Sequence, residues 1–371
     1  MEGCIGQRAA IGLASGQRVP GLDAWRALLL ICLFGSGVGA VGLRIQSLEA
    51  FVGMVFEASL PLAGFLLASR LSARSDGSPQ AAFTLWKAYI RNLPVYGVGL
   101  LCVMTLSLKA GVQIQGGGIL LLFGGTMIRS RADDLVWAWP VAVVWWGHVV
   151  LVGLSAMLRW IPWARTGHRN VWVAGWALVV VLPIAREIMR RLSPLEAADF
   201  IHGSVWRLDA MAWGVGVYGI LRNVPSVGSR GVIALLGVVG LAGAVGVGLI
   251  SAGVREWSGK DALLGVVQCG SPMSLSLVLP WLLVWRVPWE VRSRPWLELV
   301  ARMSYPSFIF FIVVFNGGGG KGLAWIGSNP FQRSAVAGVV SVAAAWAIAA
   351  FVQPVLNRLL LGQARRVGPP A

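Results

Sequence analysis

Asp23 and Arg26 stand one helical turn apart where polar sequence gives way to about seventeen nearly uncharged residues, close to a full bilayer crossing. A charge at the mouth of an apolar helix is costly unless it is paired or used, so the pair is a functional candidate. The ordinary role of such an arginine is to snorkel to headgroups and fix orientation. Four further constellations share this character. Glu57, in FEASLPLAGFLLASR, lies inside an apolar run and is followed by Pro61, Gly64 and a closing Arg70. A carboxylate there either pairs with an arginine or holds its proton. Lys87 and Arg91 in FTLWKAYIRNLPVYG are four apart on one helical face. Two stacked cations suit a polyphosphate such as the nucleotide end of coenzyme A, although taken alone the pair reads better as an ordinary positive-inside anchor. Arg207 and Asp209 in VWRLDAMAWG are two apart, so they do not face each other on a helix. Each therefore seeks a partner elsewhere in the bundle, or contacts headgroups and water. Ser304 and Tyr305 precede an apolar run broken by Pro306.

Acid–base chemistry needs a side chain that can take up a substrate proton, and the chain offers few. Of three histidines, His148 lies inside an apolar run, His202 stands near Arg207, and His168 sits in a basic, solvated loop. A lone intramembrane histidine is ordinarily a helix–helix contact. Glu57, if desolvated, is a further candidate base. Cys32 could act as a nucleophile, but nothing beside it in sequence activates a thiol. The stretch GGGGKG from Gly317 to Gly322 lacks the Ser or Thr that completes a phosphate loop and reads as a flexible turn.

The elements that must position these residues are transmembrane helices. The 371 residues are 57% hydrophobic and 12% charged, with mean hydropathy +0.73, and apolar runs bounded by arginines recur along nearly the whole length. The class is all-α: a polytopic membrane helix bundle forming a single domain over 1–371, with a core of about 18–360. Ten spans are predicted near 25–43, 50–69, 92–108, 135–158, 171–187, 204–221, 231–251, 265–285, 302–316 and 335–359. The segment 117–128 is too short to cross and reads as re-entrant or interfacial. The net charge of +16 is spread between the runs rather than clustered, which fits positive-inside bias better than nucleic-acid binding. With the N-terminus cytoplasmic, most of the 31 Lys and Arg fall inside and most of the 15 Asp and Glu outside, so both termini are expected in the cytoplasm. The four cysteines are scattered without CxxC spacing, indicating neither disulfides nor a metal site. The first twenty residues hold no signal-peptide core with a cleavage site, so the first helix is expected to direct insertion. Trp137, Trp139, Trp160, Trp163, Trp281 and Trp289 lie near span ends, as an interfacial belt requires. Gly237, Gly240, Gly243 and Gly246 mark span seven as a packing helix rather than a lipid-facing one.

In series, these motifs resemble the integral-membrane acyltransferase family 3, multi-pass O-acyltransferases of surface polysaccharides, peptidoglycan, lipid-linked sugars and some antibiotics. Leu22-Asp23-Ala24-Trp25-Arg26 is similar to the family's opening LDGLR signature, and Glu57 to Phe65 to its acid followed by FFxxSGF. Lys87 and Arg91 to Pro94 match a basic pair before R-hydrophobe-P. Arg207 to Ala210 with Gly214 match RLDA and its glycine, Ser304-Tyr305 with Phe308 match SYxxY, and Gln353-Pro354 matches a final E-x-P without the acid. The likeness covers roughly residues 18–360.

Three departures fall on the chemistry. Gly37 stands where the family places a histidine eleven residues after the first-span arginine, Phe311 replaces the histidine after the SY motif, and Trp139-Pro140 with Val144 leaves the middle-span acid absent. The resemblance implies an acyltransferase of a bacterial inner membrane. It would take an acyl group from cytoplasmic acyl-CoA, acetyl-CoA foremost, and pass it to a hydroxyl of a surface or lipid-linked saccharide, with no metal. It places Arg26, Lys87 and Arg91 on the donor phosphates and Glu57, Arg207 and Asp209 in the interior polar network, with Asp23, Arg207, Asp209 and Tyr305 also among the donor- or substrate-binding residues. His148, Glu57 and His202 are the candidate bases. The alternatives are a catalytically degenerate member with a binding or partner-support role, and a small-anion transporter.

Overall fold

The computed structural model describes residues 19–42, 46–72, 139–164, 169–192, 207–224, 227, 229–254, 260–285, 295–297, 299–301, 303–304, 307, 329–356 and 358–359. Lys87, Arg91, His168, His202 and Tyr305 lie outside these residues, as do the predicted span 92–108, the short segment 117–128, most of 302–316, and the stretch 317–322. Among the described residues there is no strand. The helices are α1 (Pro20–Gly42), α2 (Gln46–Ser72), α3 (Trp139–Leu158), α4 (Arg169–Leu192), α5 (Leu208–Asn223), α6 (Arg230–Val254), α7 (Lys260–Val284) and α8 (Pro330–Ala347). A π-helical turn, Ile348–Val352, carries α8 into the short α9, Gln353–Leu356. These elements coincide with eight of the predicted spans to within a few residues. Two helices contain stretches long and apolar enough to cross a membrane: Arg169–Met189 in α4, with mean hydropathy 1.7, and Arg230–Ile250 in α6, with 2.5.

At the centre stands α5. From Leu208 to Leu221 nearly every residue is buried, Trp213 and Ile220 being half-buried. A helix apolar all round has no water-facing side and must be enclosed. Its enclosure is α2, α3, α4 and α7. The tightest crossing is with α2. A Cβ on Gly214 would meet the Pro61 carbonyl oxygen at 1.8 Å, and one on Gly64 would meet that of Met211 at 1.9 Å. Both glycines are required there because backbone packs on backbone. Phe65 and Tyr218 close the same seam edge to face, with ring centroids 5.3 Å apart.

Contacts fix the direction of each helix. Along α2 and α5, Glu57 meets Arg207, Gly64 meets Met211 and Phe65 meets Tyr218, so the two run parallel. α4 is antiparallel to α5: Arg186 pairs with Asp209, Gly175 faces Val215, and Gly219 faces Trp172. α3 forms a hairpin with α4, closed where Asn170 Nδ2 donates to the Ser155 carbonyl at 2.8 Å. α6 is antiparallel to α7, with Gly237 on Trp281, Gly240 on Val278 and Val247 on Gly270. α1 is also antiparallel to α7, Gly21 lying against Leu282 while Trp25 and Leu29 pack on the Ala58–Ala244–Leu275 cluster. Thus α2, α3, α5 and α7 point one way and α1, α4 and α6 the other.

This arrangement sorts charge. At the end where α1, α4 and α6 begin lie Arg26, Arg70, Arg159, Arg169, Arg222 and Arg230, with Asp23 their only acidic companion on α1 to α7 among the described residues. Toward the opposite end, Glu49, Glu57, Glu187, Asp209 and Asp261 balance Arg186, Arg190, Arg191, Arg207 and Lys260.

α6 departs from the sequence reading in one respect. Gly237, Gly240 and Gly243 do pack on α7, but a Cβ on Gly246 would meet nothing within 4 Å. Leu235, Val238, Val239, Val245 and Leu249 form an exposed apolar stripe on that outward side. The helix therefore packs with one face and turns an apolar face outward with the other.

Candidate functional site

The N-terminus of α5 gathers the buried charge. Arg207 occupies the N-cap, with no side-chain cap bond, and its Nη2 donates to Glu57 Oε1 on α2. Two residues on, Asp209 is 0% exposed and accepts from Arg186 Nη2 of α4 at 3.3 Å. Its other oxygen takes the Ala210 N–H at 2.9 Å. That N–H is one of the donors a helix start leaves unmatched, and a carboxylate there also meets the positive end of the helix dipole. Among the described residues, two acids and two guanidinium groups from three helices thus form a charge-balanced quartet in an apolar surround of Leu60, Val143, Leu208 and Ala210. Balance is what permits it, because an uncompensated ion there would face a large desolvation penalty.

The backbone around the quartet is also unusual. Pro61 lacks the N–H that would bond the Glu57 carbonyl, Pro183 precedes Arg186 by three residues, and Pro272 follows Ser271 on α7. Prolines inside membrane-embedded helices are tolerated where neighbours re-satisfy the freed groups. Ser271 is fully buried on the α7 face that approaches Glu57, one turn before the Leu275 that packs with Ala58, and its hydroxyl is a hydrogen-bond donor to the Glu57 carboxyl.

His148 is the buried histidine of α3. Its Nδ1–H donates to the Val144 carbonyl at 2.6 Å, one turn back on the same helix. Because a carbonyl only accepts, Nδ1 carries a proton, which leaves Nε2 as the nitrogen able to take one up. The neighbouring Gly147 lies against Met211 of α5. His148 is therefore one turn further along the bundle than Val143, which lines the quartet.

Asp23 and Arg26 pair within α1 at 3.0 Å. Arg26 lies five residues, roughly 8 Å, along α1 from Gly21. The Ser271 level lies about 16 Å along α7 from the Leu282 that Gly21 touches. The pair thus belongs to the basic end and forms a layer separate from the quartet. Cys32 is half-buried further along α1, and Ser304 Oγ donates to the Ala301 carbonyl at 2.8 Å.

Glu57, Arg207 and Asp209 are brought together, and Arg186 joins them. Sequence reasoning passed over Arg186 because it stands in the basic run REIMRR. The signal was its register: Ala174, Leu178, Leu182 and Arg186 recur every fourth residue on the inward face. No protein-family model, curated protein or solved structure matches this chain.

Proposed function

We propose that the chain is a ten-span membrane acyltransferase of family 3 type, with both termini in the cytoplasm of a bacterial inner membrane. The observation carrying this reading is that motif residues far apart in sequence, Glu57 with Gly64 and Arg207, Asp209 with Gly214, converge at one helix crossing. The alternating helix directions and the basic end support the topology. α2 and α3 run the same way, as an intervening third span at 92–108 makes them do, and the arginine-rich end is then the cytoplasmic one.

In this reading an acyl-CoA thioester enters from the basic end, its phosphates held by Arg26, Lys87 and Arg91. The quartet holds the polar interior, and Tyr305 serves donor or substrate binding. His148 Nε2 takes the proton of the acceptor hydroxyl as its oxygen bonds to the acyl carbonyl carbon. The carbon–sulfur bond breaks, and the imidazolium returns the proton to the departing thiolate. Glu57 is less suited to that task because Arg207 already engages it. Replacing His148 by Asn places an amide Nδ2–H where the ring Nδ1–H stood, so the contact to the Val144 carbonyl is kept in an uncharged side chain and the base is removed. Transfer from acetyl-CoA to a saccharide acceptor, measured with purified protein, falls about 10²–10⁴-fold with the protein still folded. Unchanged transfer removes His148 from the mechanism. Donor binding without turnover in the wild type establishes instead the degenerate reading, which Gly37 and the balanced charge of the quartet favour.

A further inference from the structure

The turn joining α3 to α4 carries exposed groups that the acyl-transfer reading does not use. Trp160 is 90% exposed and Trp163 62%, with Ile161 and Pro162 also exposed, in a turn that closes as a short 3-10 helix, Pro162–Ala164. Large aromatic rings left open to water are anomalous on a soluble surface but ordinary at the headgroup level of a bilayer, where an apolar body and a polar N–H are both satisfied. Arg159 precedes Trp160, and the exposed Arg169 begins α4. The two arginines are held on either side of the turn by the buried clasp between Asn170 and Ser155; the Ser155 hydroxyl is itself bonded to the Val152 carbonyl at 2.9 Å. The clasp ties the end of α3 to the start of α4 and so sets the separation of Arg159 and Arg169. It lies at the basic end, among Arg70, Arg222 and Arg230.

Two guanidinium groups flanking two outward indoles match one surface chemically: an anionic phospholipid leaflet, with phosphate at the arginines and the glycerol–acyl boundary at the rings. We propose that Arg159, Trp160, Trp163 and Arg169 form a binding site for anionic phospholipid headgroups on the cytoplasmic leaflet. The site rests on the membrane topology above and is independent of the acyltransferase chemistry.

The full-length protein, released in neutral detergent, is titrated with phosphatidylglycerol or phosphatidylcholine and its thermal midpoint followed. Phosphatidylglycerol raises the midpoint and phosphatidylcholine does not. In Arg159→Gln/Arg169→Gln the apparent affinity falls about thirtyfold, as expected for losing one contact to an anionic surface per arginine. In Arg190→Gln/Arg191→Gln, at the other end, it is unchanged. An equal response to both lipids, or an unaltered affinity in the Arg159/Arg169 variant, overturns the site. Inorganic triphosphate competing away phosphatidylglycerol also overturns it, because the arginines then serve a soluble polyphosphate. Should that variant fail to fold, Trp160→Ser/Trp163→Ser replaces it, read by the same titration. Resistance of the wild type to alkaline extraction from membranes separately reports whether the topology itself holds.

Discussion

Two seams of this bundle use the same packing device for different ends. Where α2 crosses α5, and where α6 crosses α7, glycines let helices approach to backbone distance. The α2–α5 seam is enclosed by α3, α4 and α7 and holds two ion pairs at one extremity. The α6–α7 seam is lined by Ser274, Val278 and Trp281, and α6 turns an apolar stripe outward. Close packing alone thus marks neither a functional centre nor a lipid-facing wall. What separates the seams is the charge trapped in one of them and the enclosure that keeps it there.

Removing half of that charge is the strongest way to break the distinction. Arg207→Met leaves the Glu57 carboxylate in the interior without its guanidinium, at a cost of about 3–5 kcal/mol. Glu57→Leu/Arg207→Met, which removes both members with apolar groups of similar size, recovers stability to within about 1 kcal/mol of wild type. Thermal unfolding of the detergent-solubilised protein measures both. If the single variant is as stable as wild type, Glu57 and Arg207 are not a buried pair. If the double variant recovers stability but loses the proposed acyl transfer measured in the wild type, the quartet is kept for chemistry rather than for folding.

The next effect comes from the crossing itself. Gly214→Ala places a methyl group 1.8 Å from the Pro61 carbonyl oxygen, so the two backbones must separate. The expected cost is about 3 kcal/mol, at the upper end for overpacking, because backbone rather than a flexible side-chain tip obstructs the methyl. A wild-type midpoint for this variant contradicts the α2–α5 approach.

How much of this the sequence disclosed depends on the kind of residue. Glu57, Arg207 and Asp209 were legible because charge in an apolar run has few explanations. Their partners were not, because pairing Arg207 to a residue 150 positions away depends on which helices adjoin. The separation of Arg207 and Asp209 by two residues did predict that each needs a partner on a different helix, and α2 and α4 supply them. Arg186 was hidden by its basic neighbours even though its register was correct. For the Asp23–Arg26 pair, spacing sufficed, since residues three apart on a helix are neighbours. The proposed tautomer of His148 could not have been read at all, since it depends on where one backbone carbonyl points.

The glycines of α6 offer the finest test, because one sequence pattern there divides into two environments. Residues three apart on a helix advance 300°, so each step of the Gly237, Gly240, Gly243, Gly246 series slips about 60° around the axis. Across three steps the series moves about half a turn, from the α7 face to the outward face. A substitution should therefore change meaning along the series. Gly243→Leu drives a side chain into Ser274, whose Oγ would lie 2.5 Å from the new Cβ, and costs about 1–3 kcal/mol. Gly246→Leu meets open space and joins the stripe of Leu235, Val238 and Leu249, so stability stays within about 0.5 kcal/mol of wild type. Equal losses at both positions would mean that the outward face of α6 is covered in the native protein, and that this seam is enclosed as the α2–α5 seam is.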